Sequence, residues 1–476
     1  MKKRIIQIAA VLTLLAALGI RAYGNYQARF VEINQVRYEK IREELDLSGQ
    51  VMPDLELLKE FTGLKKLDVR GTGISIPVYE TLKTMFPQAE ILWDIPFQGT
   101  YYPMDTDALD VTALTDEDLA DLGYFTELKT VSGVNCPDYA VLHTLRTTRT
   151  DLEVIYTIPA AGTRYDYDVK ELELPGMEAA ALMEVLPYFT ELEAVTLTLP
   201  LAPAEEVLAL REAFPEVAFS WQLELAGMIV DECTETLDLT GIPMTVEEMD
   251  AVLPYLVSLT YVDMTDCGIE NEEMDALNRR YENVKIVWTV TLPRGFRIRT
   301  DATHFMPVNY NYYPRDNDLD NLRYCTDMIA IDVGHRRITN IDFVAYMPHL
   351  QFLLMCETAV RDLTPLTGLT ELIYLELFMN SFEDLSPLVT LTALQDLNLH
   401  YVTGDPEIIA QMTWLKNLWW NHLSEKKLTA EQQQMLRDAI PECNFNFTAP
   451  GSTEGGWRKL PNYYAQRDIF GVEYMN

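Results

Sequence analysis

Between residues 331 and 399 one spacing recurs without drift. Ile331-Asp332-Val333, Leu353-Leu354-Met355, Leu375-Glu376-Leu377 and Leu397-Asn398-Leu399 stand 22 residues apart. Asp362-Leu363-Thr364-Pro365-Leu366 likewise returns 22 residues later as Asp384-Leu385-Ser386-Pro387-Leu388. A segment this short cannot bury its apolar face alone, so a constant period calls for successive turns of chain stacked on one another. Each turn contributes one short strand. The middle residue of each L-x-L points out of the sheet and the flanking residues point into the core.

The same ruler, less evenly marked, runs through the preceding half. Leu45-Asp46-Leu47, Leu109-Asp110-Val111, Leu172-Glu173-Leu174 and Leu237-Asp238-Leu239 open four units of about 64 residues. Each unit has a second core triplet, at Leu67-Asp68-Val69, Val131-Ser132-Gly133, Val195-Thr196-Leu197 and Val262-Asp263-Met264. A third, alternating strand follows, and it ends in an aromatic column of Trp93, Tyr156, Trp221 and Trp288. Gly99, Gly162, Gly227 and Gly295 close the units. Capping boxes at Thr245 and Thr429, acidic residues at Asp116 and Glu117, and Pro203 mark starts of short helices between strands. The expected fold is an α/β leucine-rich repeat solenoid. It is a curved horseshoe with a parallel sheet on the concave face and short helices on the convex side.

This reading divides the chain into six parts. Residues 1–24 are a signal peptide or signal anchor: Lys2-Lys3-Arg4 precede an apolar run from Ile5 to Ile20, with small residues at Ala22 and Gly24. That run is a little long for a signal and a little short for a span of about 20 residues. Residues 25–44 are expected as an N-terminal capping helix, 45–294 as the irregular repeats and 295–328 as an insertion loop. The regular repeats occupy 329–447, and an aromatic C-terminal tail or cap, with Trp457, Tyr463, Tyr464, Phe470 and Tyr474, occupies 448–476.

The coils from Asp362 to Leu399 resemble the 22-residue repeats of the bacterial internalin class. The likeness covers Ile329 to Phe447 well, and about 250 residues before it only as irregular repeats. It implies an exported surface protein that binds other proteins through the concave face. The chain departs from that class in having no sorting motif of the Leu-Pro-x-Thr-Gly type, so wall attachment is not expected. The repeat also wants a polar side chain three residues after its second core position, to bond the backbone of the turn. Thr72, Cys136, Cys267, Thr358 and Asn380 fill that slot, which gives Cys136 and Cys267 a structural task.

Composition narrows the function. With 37 basic against 73 acidic residues the net charge is −36, the wrong sign for a nucleic-acid surface and a suitable one for cationic partners. The outward positions of the early coils are largely acidic, while those of the last coils turn apolar. Leu354, Glu376, Phe378, Asn398, His400 and Trp419 are the expected ligand-binding set, unless the tail or the Tyr-rich insertion folds over them. Asp316, Asp318, Asp320 and Asp327 are spaced like a calcium loop but lack its central glycine and final Glu. The six cysteines contain no CxxC pair, and the six histidines no metal-ligand spacing. No nucleophile elbow, P-loop or dinucleotide fingerprint is present. The expectation is an exported, non-catalytic recognition protein for a protein or peptide, possessing neither cofactor nor metal. Membrane contact would come only through the N-terminal segment. The alternatives are a cell-envelope carbohydrate binder that stacks sugars on the aromatic patch, and an extracellular hydrolase.

Overall fold

The computed structural model describes residues 2–382, 384–423, 426–448 and 455–473. The chain forms two compact units, Met1–Trp221 and Gln222–Asn476, the boundary falling inside the strand Ala218–Leu225.

The first unit begins with a helix, Lys2–Gln27, whose stretch Gln7–Gly24 is long and apolar enough to cross a membrane and is not buried against protein. The expected capping helix after it is replaced by an antiparallel hairpin, Phe30–Ile33 with Val36–Glu39. The helical spacing of Phe30, Ile33 and Val36 competes there with a β-rich composition, and Asn34-Gln35 adopt the paired left-handed conformation (φ 48° and 67°) of a two-residue turn. The hairpin still serves the first coil: Asn34 Nδ2 donates to the Val51 carbonyl at 2.8 Å, and Lys40 pairs with Glu60 at 2.7 Å.

Three-stranded parallel sheets follow, in the expected register. Leu45, Leu67 and Ile91 align in the first, Leu109, Val131 and Val154 in the second, and Leu172, Val195 and Phe219 in the third. The second unit opens with a fourth sheet of the same kind, aligning Leu237, Val262 and Ile286. Each second strand leads to the third through a ten-residue helix: Ile76–Met85, Tyr139–Thr148, Ala204–Ala213 and Asn271–Arg280. Each of these helices buries a leucine, at Leu82, Leu145, Leu210 and Leu277. Trp93, Tyr156 and Trp221 in the first unit and Trp288 in the second are all buried.

The four closing glycines have a more specific task than ending a unit. Each third strand, or the strand directly after it, runs on into an antiparallel hairpin. The turns are Gln98-Gly99, Ala161-Gly162, Ala226-Gly227 and Arg294-Gly295, with both residues left-handed in every case. The spacer before the next unit is therefore the return strand of a hairpin.

In the second unit a seven-stranded parallel sheet then builds up. Phe305, Ile331, Leu353, Leu375, Leu397, Leu418 and Phe445 align across it. The sheet begins one coil earlier than expected. The segment expected as an insertion loop contains the return strand Phe296–Arg299 and the sheet's first strand, His304–Phe305. No L-x-L marks that coil, only Phe305 between two non-repeat residues, so its register was invisible. In the first regular coils the connections are single 3-10 turns, for example Thr364–Leu366 and Ser386–Thr390. The last two are α-helices, Pro406–Ile409 and Ala430–Ala439, the second starting at the expected capping box of Thr429. Asp362 and Asp384 accept the N–H of Thr364 and Ser386 at 2.8 and 2.9 Å, and the following proline sets the turn.

Candidate functional site

The open face of each sheet carries the middle residues of the triplets. Asp46, Asp110, Glu173 and Asp238 are exposed there. Asp68 and Asp263 are recessed and paired with Arg70 and Arg299. In the seven-stranded sheet the same column reads Asp332, Leu354, Glu376, Asn398, Trp419 and Asn446, and here the face is covered.

The cover is the C-terminal segment, a 3-10 turn Trp457–Lys459 followed by the helix Pro461–Phe470. Trp457 has no exposed surface. Its ring centroid lies 5.3 Å from those of both Tyr374 and Trp419. Its indole Nε1–H donates to Glu376 Oε1 at 2.6 Å, and the Tyr374 hydroxyl donates to the same oxygen. Tyr463 and Phe470 complete an apolar cluster with Phe352, Leu354 and Trp419. Burial pushes the Glu376 carboxyl up from its ordinary range, while those two donors pull it back.

The six residues expected to bind ligand therefore separate. Trp419 lies under Trp457. Asn398 and His400 are buried in turn chemistry: Asn398 Oδ1 accepts the His400 N–H and His400 Nδ1 accepts the Asn421 N–H, both at 3.1 Å. Leu354, Glu376 and Phe378 instead line a cleft of about 460 Å³ between sheet and C-terminal segment. Its other wall includes Tyr463 and Arg467, and Met306 and Val308 close one side. Sequence reasoning missed Arg467, Tyr463 and Met306 as cleft residues. Only the aromatic character of the tail signalled that it docks.

On the sheet side, Asp332 Oδ1 accepts the Gly334 N–H at 2.9 Å, and burial pushes this carboxyl up to about 6, with nearby Glu376 adding to the effect. Cys356 Sγ lies 3.8 Å from His335 Nε2, and His335 Nδ1 lies 2.5 Å from Glu357 Oε2. The order thiol, imidazole, carboxylate is that of a cysteine hydrolase. Its electrostatics are opposite: burial, with Glu376 and Asp332 beside it, pushes the Cys356 thiol up, whereas a nucleophile needs its thiolate.

The acidic loop is engaged elsewhere. Asp318 pairs with Arg294 and Asp327 with Lys285, each at 2.5 Å. Among the described residues no group of three or more His, Cys, Asp or Glu is arranged to hold a metal ion. All six cysteines are free thiols.

No protein-family model matches the chain, and no curated protein matches it. Among solved structures it is similar to an internalin of Listeria monocytogenes, 13% identical, covering 88% of this chain and 91% of that one with a TM-score of 0.26. It is also similar to a leucine-rich repeat protein of Leptospira interrogans, 16% identical, covering 85% and 95% with a TM-score of 0.25. Likenesses this distant carry nothing about function, and the fold stands on its own strand register.

Proposed function

We propose that this α/β leucine-rich repeat chain is an exported, non-catalytic recognition protein. Its N-terminal helix serves as signal or anchor, and its partner is a protein or peptide. The observation that supports this most is the cleft. An apolar floor of Leu354 and Phe378 is bordered by a few charged groups, the usual make-up of a recognition pocket. The exposed carboxylates on the open faces of the other sheets favour cationic segments on that partner. For the carbohydrate alternative Trp419 is not free to stack a sugar, since it is buried with Trp457 packed 5.3 Å from it.

Peptide-library selection on the full chain in detergent micelles tests the proposal. Selected peptides are expected to bind Phe378→Ala protein about tenfold more weakly or worse, a loss of roughly 1.4 kcal/mol. Undiminished binding to both Phe378→Ala and Met306→Ala proteins would move the site off this cleft.

A further inference from the structure

Among the charged groups that line the cleft, Asp332 and Arg467 are of opposite sign and do not pair with one another. Asp332 stands on the sheet. One of its oxygens accepts the Gly334 N–H, and it forms no ion pair among the described residues. Arg467 stands on the C-terminal helix and is 8% exposed. Its Nη2 donates to the Glu473 carbonyl, but its Nε–H is buried with no acceptor among the described residues. A buried guanidinium N–H without an acceptor is costly, and so is a recessed carboxylate that His335 and Arg336 stabilise only from a distance. Glu376 accepts Trp457 and Tyr374 at one oxygen, Oε1, and no hydrogen bond joins it to Arg467 among the described residues. The neighbouring Arg336 is directed to the His335 carbonyl and the Tyr313 ring. Lining one cleft with Leu354 and Phe378, Asp332 and Arg467 complement a molecule that carries an ammonium, a carboxylate and an apolar part.

We propose that the cleft binds a small zwitterion of the amino-acid type, its ammonium on Asp332, its carboxylate on Arg467 and its side chain on the apolar floor. This deepens the recognition reading above and rests on it. A free apolar amino acid and a short peptide with free ends share this chemistry.

Titration calorimetry on the full chain in detergent micelles at pH 7.5 tests it with four probes: L-leucine, the dipeptide Leu-Leu, N-acetyl-L-leucine and L-leucinamide. At least one zwitterion is expected to bind about tenfold more tightly than either blocked compound. Tighter binding of leucine identifies the free amino acid as the source, and tighter binding of Leu-Leu the peptide. Asp332→Asn is expected to weaken the zwitterion while leaving N-acetyl-leucine unchanged, and Arg467→Gln to weaken it while leaving leucinamide unchanged. Thermal melts confirm that both variants are folded. That crossed pattern cannot come from general loosening of the C-terminal segment, which would weaken every probe alike. Equal binding of blocked and unblocked compounds, or no heat from either zwitterion, overturns the assignment. If library peptides still bind in a Phe378-dependent way in that event, the recognition reading survives and only the ligand class falls. If they do not, both fall.

Discussion

At Asp332 a titration can be read directly as stability. An unfolded Asp titrates near about 3.9, while burial holds this one near 6 in the fold. The folded state keeps the proton more tightly, so the group costs nothing below about pH 4, destabilises increasingly as pH rises towards 6, and carries its full penalty above that. At about 1.4 kcal/mol per decade, that penalty is at most about 3 kcal/mol. Asp332→Asn keeps an acceptor for Gly334 and removes the charge. Its denaturation midpoint is expected to exceed the parent's at pH 7.5 and to match it at pH 4; an offset equal at both values would refute the argument. The turn slot was legible at this scale: Asn380 Nδ2 donates to Met355 and Leu377 carbonyls at 2.7 and 2.9 Å, and Cys267 Sγ donates to the Leu239 carbonyl at 3.2 Å. Cys136 also bonds the backbone, at Asp138, whose carboxylate lies 3.7 Å from the thiol. The pairing of Glu376 with Trp457 could not be read, because it joins residues far apart in sequence that no periodicity relates.

Among the elements, the hairpins and the C-terminal segment show where pattern reading stops. Type I′ turns are usually announced by Asn-Gly or Asp-Gly, and here they are written Gln-Gly, Ala-Gly and Arg-Gly, which carry no such signal. Gly162 sits at φ +75° with open space around it, so a methyl group there meets only backbone strain. Gly162→Ala is expected to cost about 1–2 kcal/mol. Gly123→Ala, equally unobstructed but without a left-handed backbone, should be neutral or stabilise by up to about 1 kcal/mol. Chemical denaturation of the two variants gives the comparison, and equal effects would remove the turn assignment. Trp457→Ala strips an indole from full burial and leaves Glu376 one donor short. A loss of about 3–5 kcal/mol is expected for the elements it holds, seen as earlier protease cleavage after Phe447 and new binding of an apolar dye.

For the whole molecule, charge is the feature that spacing could not convey but composition could. A net charge of −36 with open sheet faces bearing Asp46, Asp110, Glu173 and Asp238 makes self-repulsion a general load on the fold. Raising sodium chloride from about 20 to about 300 mM shortens the screening length several-fold. The melting temperature is expected to rise by a few degrees, and a fall would show that the surface ion pairs outweigh the repulsion. The ladder of leucines was legible almost to its ends, because period and burial are the same fact in a stacked coil. The first strand of the large sheet, His304–Phe305, escaped because it is held by its neighbours rather than by a motif of its own.

The two-residue hairpin turns also bear on how faults spread. Parallel strands alone would let one misplaced residue shift every later turn, turning core side chains outward along the whole array. A tight reversal fixes its own alignment from local chemistry, so counting restarts after each of the four. An error made in one block is thus confined to it, and a block gained or lost in its entirety leaves the others in phase.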